Sequence, residues 1–530
     1  MTRVAVVGGG VSGLSCAQRL RTLLGPAAEI VVLEQRDRLG GVLRTVDLAG
    51  APFDVGAEAF LARRPEVPAL LAEIGLADAL THPTAATATI RAGGRTVGLP
   101  RGTLMGVPGR DADLGGVLSD AGRAAVAAEP SMPLDWEPGT DVALGALLRR
   151  RFGPEVVDRI ADPLLGGVYA GRVDRLGLRA TVPALAAALD AGAGSLTEAA
   201  SAGMAGSGQR GGTLAAGTPA AGTGGTAPPP AGSGTTAPPA AGSGTTGPPA
   251  AGAGTTGPPA AGYGTGAEPS AVPQPVAAGP VFGAVRGGYR EVVAALVAAS
   301  GARVRTGVTV RELHRRPEGW RLVLGPVPQP EALDVDAVVL AVPAPAARRL
   351  LEPVAPAAAA AAGRIELASS AVVALAFRAA DVAGMPGTSG CLVAADEPLS
   401  VKGVTHASTK WAHLGEDGLV RLRASIGRFG EETSLQVDDA ELVARVRADL
   451  AVLDGVDAVP VASVVQRWGG GLPQYGVGHG AVVNTLESAV AAVGGLEVAG
   501  SMLHGVGVPA CVATARAAAE RLAPAVATGR

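Results

Sequence analysis

The amino-acid sequence predicts an α/β fold with a nucleotide-binding crossover at its start, and three observations carry that expectation. Two β-branched runs, Val4-Ala5-Val6-Val7 and Ile30-Val31-Val32-Leu33, flank a glycine turn and a stretch of helical spacing, as a parallel βαβ unit requires. The chain from 55 to about 195 reads as mostly helical, and β-branched runs return at 303–313, 320–324, 335–342 and 371–377. Strand, glycine loop and helix recur at 496–522, repeating the arrangement of the N-terminus.

Composition narrows the reading. The 530 residues include 78 Gly, 41 Pro and only 6 Phe, 4 Trp and 4 Tyr, too uneven a mixture for one uniformly packed core. With 48% hydrophobic residues there is enough apolar material for a sizeable core, and a formal net charge of -3 gives no electrostatic case for a nucleic-acid partner. Cys16, Cys391 and Cys511 are scattered, with no CxxC and no histidine at ligand spacing, which argues against a disulfide framework or a structural zinc site. Met1-Thr2-Arg3 leads straight into the first apolar run without the regions of a secretory signal, and the Ala-rich 355–362 is too short to span a bilayer. A cytoplasmic protein without a transmembrane segment is expected.

Taken in order, the first strand covers 3–7 and Gly8-Gly9-Gly10-Val11-Ser12-Gly13 holds GxGxxG before a helix expected over 12–24. Glycines there let backbone N–H groups approach a pyrophosphate at the helix N-terminus. Glu34 closes the second strand, 29–33, where a carboxylate accepts hydrogen bonds from ribose hydroxyls. At this point the dinucleotide is NAD or FAD. The loop that follows, Arg36-Asp37-Arg38-Leu39-Gly40-Gly41, is basic and glycine-rich, and by itself also reads as a solvated charged turn. Farther on, Asp141 is expected to cap a helix whose apolar stripe is Val142, Leu144, Leu147 and Leu148. From about 199 to 279 the composition collapses to Ala, Gly, Ser, Thr and Pro, and a ten-residue unit at 231–240 recurs from 241 and 251. The unit has no apolar residue larger than Ala to stack, so disorder is expected there rather than a solenoid.

The 36–41 loop resembles the second glycine pair of the flavin amine-oxidase-like superfamily, which lies along the FAD pyrophosphate. Val498-Ala499-Gly500-Ser501 with Gly505-Val506-Gly507-Val508-Pro509 resembles its third flavin segment, and the helix at 511–522 would then point its N-terminus at the flavin ring. Beyond the superfamily, Phe53-Asp54-Val55-Gly56-Ala57-Glu58-Ala59-Phe60-Leu61-Ala62-Arg63, Leu164-Leu165-Gly166-Gly167-Val168-Tyr169-Ala170-Gly171 and Leu472-Pro473-Gln474-Tyr475-Gly476-Val477-Gly478-His479 look like the protoporphyrinogen/coproporphyrinogen oxidase family. The segments follow the family order and cover nearly everything except 195–280. Gly166-Gly167-Val168-Tyr169 resembles the actinobacterial, Gram-positive type, set apart as coproporphyrinogen III oxidase.

That resemblance implies a Rossmann-like FAD-binding domain assembled from 1–85, 281–345 and 465–530. With it come a helical domain over 86–195, a low-complexity insert over 196–280 and a mixed α/β substrate domain over 346–464. It implies FAD held by Gly8, Gly10, Val11, Ser12, Gly13, Glu34, Gln35, Arg38, Gly40 and Gly41 in the first segments, and by Gly56, Ala57, Glu58, Ala59 and Val310 in the middle of the chain. Gly500, Ser501, Gly505, Val506, Gly507 and Val508 complete the set. Substrate would meet Gly167, Val168, Tyr169, Lys402 and Lys410, the two lysines standing close together in a chain that otherwise uses arginine. Arg63, Arg64 and Arg467 are further cationic candidates. The implied reaction is a six-electron oxidation of coproporphyrinogen III by dioxygen in heme biosynthesis, through three flavin cycles releasing hydrogen peroxide, with a transient ferrochelatase contact. Protoporphyrinogen IX oxidation, or another flavin amine-oxidase-like activity, is the alternative. No Ser-His-Asp set or close carboxylate pair is found, no metal is expected, and His479 and His504 adjoin these segments without position alone assigning either a role. Ala510 and Ala515 depart from the family pattern, which commonly has an acidic residue and a glycine there.

Overall fold

Val4 and Val6 project from one side of their strand and Ala5 and Val7 from the other, and all four are buried, so this strand lies inside a sheet covered on both faces. In the computed structural model, which describes residues 2–209 and 280–527, Arg3–Val7 pairs in parallel with Glu29–Leu33 and with Ala337–Leu340. Arg303–Arg305 and Leu496–Val498 complete the five-stranded parallel sheet at its edges. One face packs on the helices Val11–Leu24, Tyr289–Ser300 and Val508–Ala527. The other packs on an antiparallel layer, Val310–Arg315, Trp320–Leu324 and Glu331–Val335, and on the helices Ala344–Leu351, Pro356–Ala362 and His479–Ala491. The predicted strand–helix–strand unit is present, its helix starting at Val11, one residue earlier than expected.

A second sheet has seven strands in the order Ala462–Pro473, Leu367–Arg378, Leu419–Ile426, Val401–His406, Gly390–Val393, Ala88–Ala92 and Arg95–Gly98. Helix Asp439–Asp454 covers one face, and Phe53, Val55, Trp411 and Trp468 pack on the other. Two expected boundaries are corrected here. Residues 88–113 are strands and not part of a helical region: Gly93 and Gly94, both left-handed, turn Ala88–Ala92 back on Arg95–Gly98, and Arg101–Leu104 and Val107–Asp113 form a further hairpin. The boundary at 465 falls inside the strand Ala462–Pro473, which belongs to this sheet through its pairing with Leu367–Arg378. Helices from Leu144 to Asp190 close an apolar core with Ile90 and Val107 beneath them.

The expected start of the low-complexity insert at 196 is also corrected, because Leu196–Gln209 is a helix with Leu196, Ala199 and Ala200 buried. Its first turn is held by Glu129, whose carboxylate accepts from Leu196 N at 2.8 Å, Thr197 N at 3.2 Å and Thr197 Oγ1 at 2.7 Å while pairing with Arg151 at 2.6 Å. The rest of that segment, 210–279 with its repeat, lies outside the described residues. Among the described residues no helix is long and apolar enough to cross a membrane, and no group of His, Cys, Asp or Glu is placed to hold a metal.

Candidate active site

The glycine turn at the start of the chain is built by backbone crowding. A β-carbon at Gly13 would overlap the Gly8 carbonyl, and one at Gly8, whose φ is +108°, would overlap the carbonyl of Ala341. The helix Val11–Leu24 begins at Gly10 with no side-chain cap, which leaves the N–H groups of Val11, Ser12 and Gly13 facing outward for an anion. Gly40 N donates to Gly9 O at 2.8 Å, so the two glycine pairs lie backbone against backbone. The Glu34 carboxylate is buried and fixed from both oxygens, by Gly9 N and Arg36 N at 2.8 Å each. Gln35 beside it is exposed.

Arg38 donates to Gly41 O at 3.0 Å and lies 5.8 Å from the Trp468 ring centre. Burial, and then the guanidinium groups of Arg44 and Arg36, push its pKa down. Such mutual repulsion between neighbouring cations is relieved by a bound polyanion. The C-terminal segment meets the same helix start: at Gly500, whose φ is +123°, an added β-carbon would touch Ser12 Oγ at 3.7 Å. Gly500 N donates to Thr514 Oγ1 at 3.1 Å. Three separated segments, 8–13, 34–41 and 500–511, thus share one cradle. Val310 does not join them. Its side chain lies in the apolar core and its carbonyl accepts from Arg349 at 2.9 Å, whereas it is Val308 N that meets Glu34 O, at 2.9 Å.

The 55–59 segment runs beside this cradle. A β-carbon at Gly56 would overlap Val42 O, Ala57 N donates to Val42 O at 3.2 Å, and Trp468 Nε1 donates to Val55 O at 2.9 Å. Glu58 collects Lys410 Nζ at 3.1 Å, Trp411 Nε1 at 2.6 Å and Arg423 Nη1 at 3.2 Å. Burial raises its pKa, but the charges of Lys410 and Arg423 win and hold it at about 2. Lys410 is therefore held by Glu58 and by the faces of Trp411 and Phe282.

Tyr169 ends the helix Asp162–Tyr169, with Gly167 and Val168 exposed before it. Gln474 Nε2 donates to Tyr169 O at 2.7 Å, and the Tyr169 and Tyr475 rings lie 5.5 Å apart. Tyr475 Oη donates to Ser501 O at 2.6 Å, accepts from Gly505 N at 2.8 Å, and its ring stacks on His479 at 3.8 Å. Burial pushes the His479 pKa down to about 4, and its Nε2 donates to Leu503 O at 3.0 Å. The 472–479 segment therefore braces the 500–505 loop, with Val506 and Gly507 leading into the helix at Val508. His504 pairs with Glu487 at 3.0 Å.

Lys402 is buried on the strand Val401–His406, and its ammonium has no hydrogen-bond or ion-pair partner among the described residues. Arg428, which sequence reasoning missed, stands beside it, and among the described residues its ion pair is with Asp162, at 3.8 Å. No spacing signals Arg428, because strand pairing and the turn at Gly427 bring it there. Of the other cations, Arg64 pairs with Glu66, Arg467 pairs with Asp439, and Arg63 is exposed.

Comparison with known proteins fits this geometry. A family model described as flavin containing amine oxidoreductase matches residues 11–523. The chain belongs to this family. It is 41% identical over 517 residues to the coproporphyrinogen III oxidase of Mycobacterium leprae, across 98% of this chain and 97% of that protein. It is 26% identical to the enzyme of the same name from Bacillus subtilis across 97% and 96%. The likeness extends to solved structures: one from Exiguobacterium, named for protoporphyrinogen oxidase, superimposes with a TM-score of 0.73 at 25% identity over 99% of both chains. The cyclohexylamine oxidase of Brevibacterium oxydans shares the fold, with a TM-score of 0.62 at 14% identity. Within the flavin amine oxidoreductases the chain thus falls in the coproporphyrinogen III oxidase family, and it is an FAD-dependent oxidoreductase with the expected α/β architecture. The uncapped helix start, the fixed Glu34 carboxylate and the crowded Arg36, Arg38 and Arg44 suit the pyrophosphate and ribose of FAD. FAD supplies a two-electron acceptor, and the chain's part is to bind and orient it.

Proposed function

We propose that this protein oxidises coproporphyrinogen III to coproporphyrin III, with dioxygen as the final acceptor and hydrogen peroxide as the by-product. The observation that carries the reading is the 41% identity, over nearly the whole of both chains, to a protein named for that reaction. Six hydrogens leave the macrocycle as three hydrides and three protons, and three dioxygen molecules take them up as three hydrogen peroxide. Hydride transfer of this kind depends on orientation more than on an added acid or base, in keeping with a site of glycine loops, stacked rings and fixed carbonyls. Gly167, Val168, Tyr169 and Lys402 are the residues we assign to the substrate side. The reading extends to a cytoplasmic enzyme whose product passes to a ferrochelatase.

Purified protein should carry FAD and generate coproporphyrin fluorescence from coproporphyrinogen III, with oxygen uptake and peroxide in equal amounts. Catalytic efficiency should be higher for coproporphyrinogen III than for protoporphyrinogen IX, which has two propionates instead of four. Equal efficiencies would remove the substrate assignment and leave the family standing. No oxidation of either porphyrinogen by the FAD-loaded protein would remove the reading altogether.

A further inference from the structure

Two cations in the substrate half of the molecule are almost fully buried and have no hydrogen-bonding partner of their own among the described residues. Lys402 is 8% exposed and Arg428 is 9% exposed. Burying a cation without a counter-charge is costly, so such groups are normally paired. The Asp162 Oδ2 beside them is buried and unpartnered too, 3.8 Å from Arg428 Nε, while Oδ1 accepts from Val173 N at 3.0 Å. The nearby acid Glu431 already holds Arg172, and the nearby cation Arg423 already holds Glu58.

The elements around these groups are the helix Asp162–Tyr169, the strand Val401–His406 and the turn after Leu419–Ile426, joined where Phe429 N donates to Ala170 O at 2.7 Å. Arg423, the next cation along, reaches the flavin-side residues Gly56 and Glu58. Lys402 and Arg428 therefore stand between the helix that carries the substrate-side loop and the segment that runs beside the FAD cradle.

We propose that Lys402 and Arg428 form a carboxylate-binding subsite that holds one propionate of the porphyrinogen, and that Lys402 takes up a proton as the propionate binds. The proposal rests on the coproporphyrinogen reading and names a specificity-determining pair within it. Charge balance supports it. Without substrate, the Arg428 cation and the Asp162 carboxylate balance one another, and a neutral Lys402 adds nothing. A propionate adds one negative charge, and protonating Lys402 restores balance in a buried site. The groups facing Lys402 are Arg428 and Arg423, which disfavour its charge, and Asp162 and Glu431, which favour it. Burial and the two guanidinium groups push its pKa down to about 7, so the empty site is mostly neutral at pH 8 and a carboxylate would reverse that. Burial likewise raises the pKa of Asp162, opposed by the Val173 N–H and the Arg428 charge.

The test is calorimetric titration of the FAD-loaded protein with coproporphyrin III, which carries the same four propionates, at pH 8 in two buffers of different ionisation enthalpy. Wild type should take up close to one proton per porphyrin. Lys402→Met should bind about tenfold more weakly without proton uptake, and Lys402→Arg, permanently charged, should retain binding and also lose the uptake. Arg428→Met should weaken binding about tenfold and favour coproporphyrinogen III less over protoporphyrinogen IX. Flavin content and melting temperature establish that each variant is folded. Unchanged affinity and proton uptake in Lys402→Met, with wild type still oxidising coproporphyrinogen III, would overturn the subsite and leave the activity intact. A wild type that oxidises no porphyrinogen would instead overturn the reading beneath it.

Discussion

Gly13 shows how much one absent methyl group decides. The Gly8 carbonyl occupies the space a β-carbon would need, so even Gly13→Ala must push the helix start away from the first strand. Gly13→Ala and Gly13→Val are expected to lose FAD on gel filtration, read as loss of visible flavin absorbance, while Gly480→Ala, with nothing within 4 Å of the added carbon, should keep it. Retention of flavin by Gly13→Val would mean that the turn does not approach the cofactor. Such glycines are legible from sequence because their constraint is local: a run of three before a helix, after a buried strand, has few other uses. Arg428 is the opposite case. Its neighbours at 162 and 402 come from other elements, so no spacing in the sequence announces it.

At the level of elements, long-range contacts explain where composition misleads. Leu196–Gln209 reads as the start of a low-complexity stretch, yet it is helical because Glu129, far away in sequence, satisfies its first N–H groups and Arg151 neutralises Glu129. Glu129 is fully buried, so Glu129→Ala would leave Arg151 buried without its charge partner and the helix start without its acceptor. A loss of about 3–5 kcal/mol is expected, measured by urea unfolding; a change under about 1 kcal/mol would show that this carboxylate does not hold the helix in place. The strands at 88–98 were missed for a related reason. Their alternation is short, and what makes them strands is the parallel neighbour Gly390–Val393, some three hundred residues on. The N-terminal crossover, by contrast, was readable nearly to the residue, since both its strands are buried on two faces and so appear as unbroken apolar runs.

Across the whole molecule, Glu58 is the tie between the flavin side and the seven-stranded sheet, through Lys410, Trp411 and Arg423. Glu58→Gln should lower stability by roughly 3–5 kcal/mol at pH 7, because two largely buried cations lose their counter-charge. With a folded pKa of about 2 against about 4.3 for an unfolded glutamate, this contribution is complete above about pH 4.3 and disappears as pH falls toward 2. The melting-temperature gap between wild type and Glu58→Gln should therefore stay constant from pH 7 to 5 and close below 4; a gap that persists at low pH would mean the tie is not ionic. The order of strands in the parallel sheet has a different consequence, one that concerns synthesis. Leu496–Val498 supplies an edge of that sheet, and Val508–Ala527 covers the apolar face of Val11–Leu24. On the ribosome, a helix made among the first residues waits for nearly five hundred more before its partner emerges, roughly 25–100 s at typical elongation rates. Over that interval the nascent chain presents an uncovered apolar face and half a nucleotide cradle, a natural substrate for a chaperone long before it can be a flavoprotein.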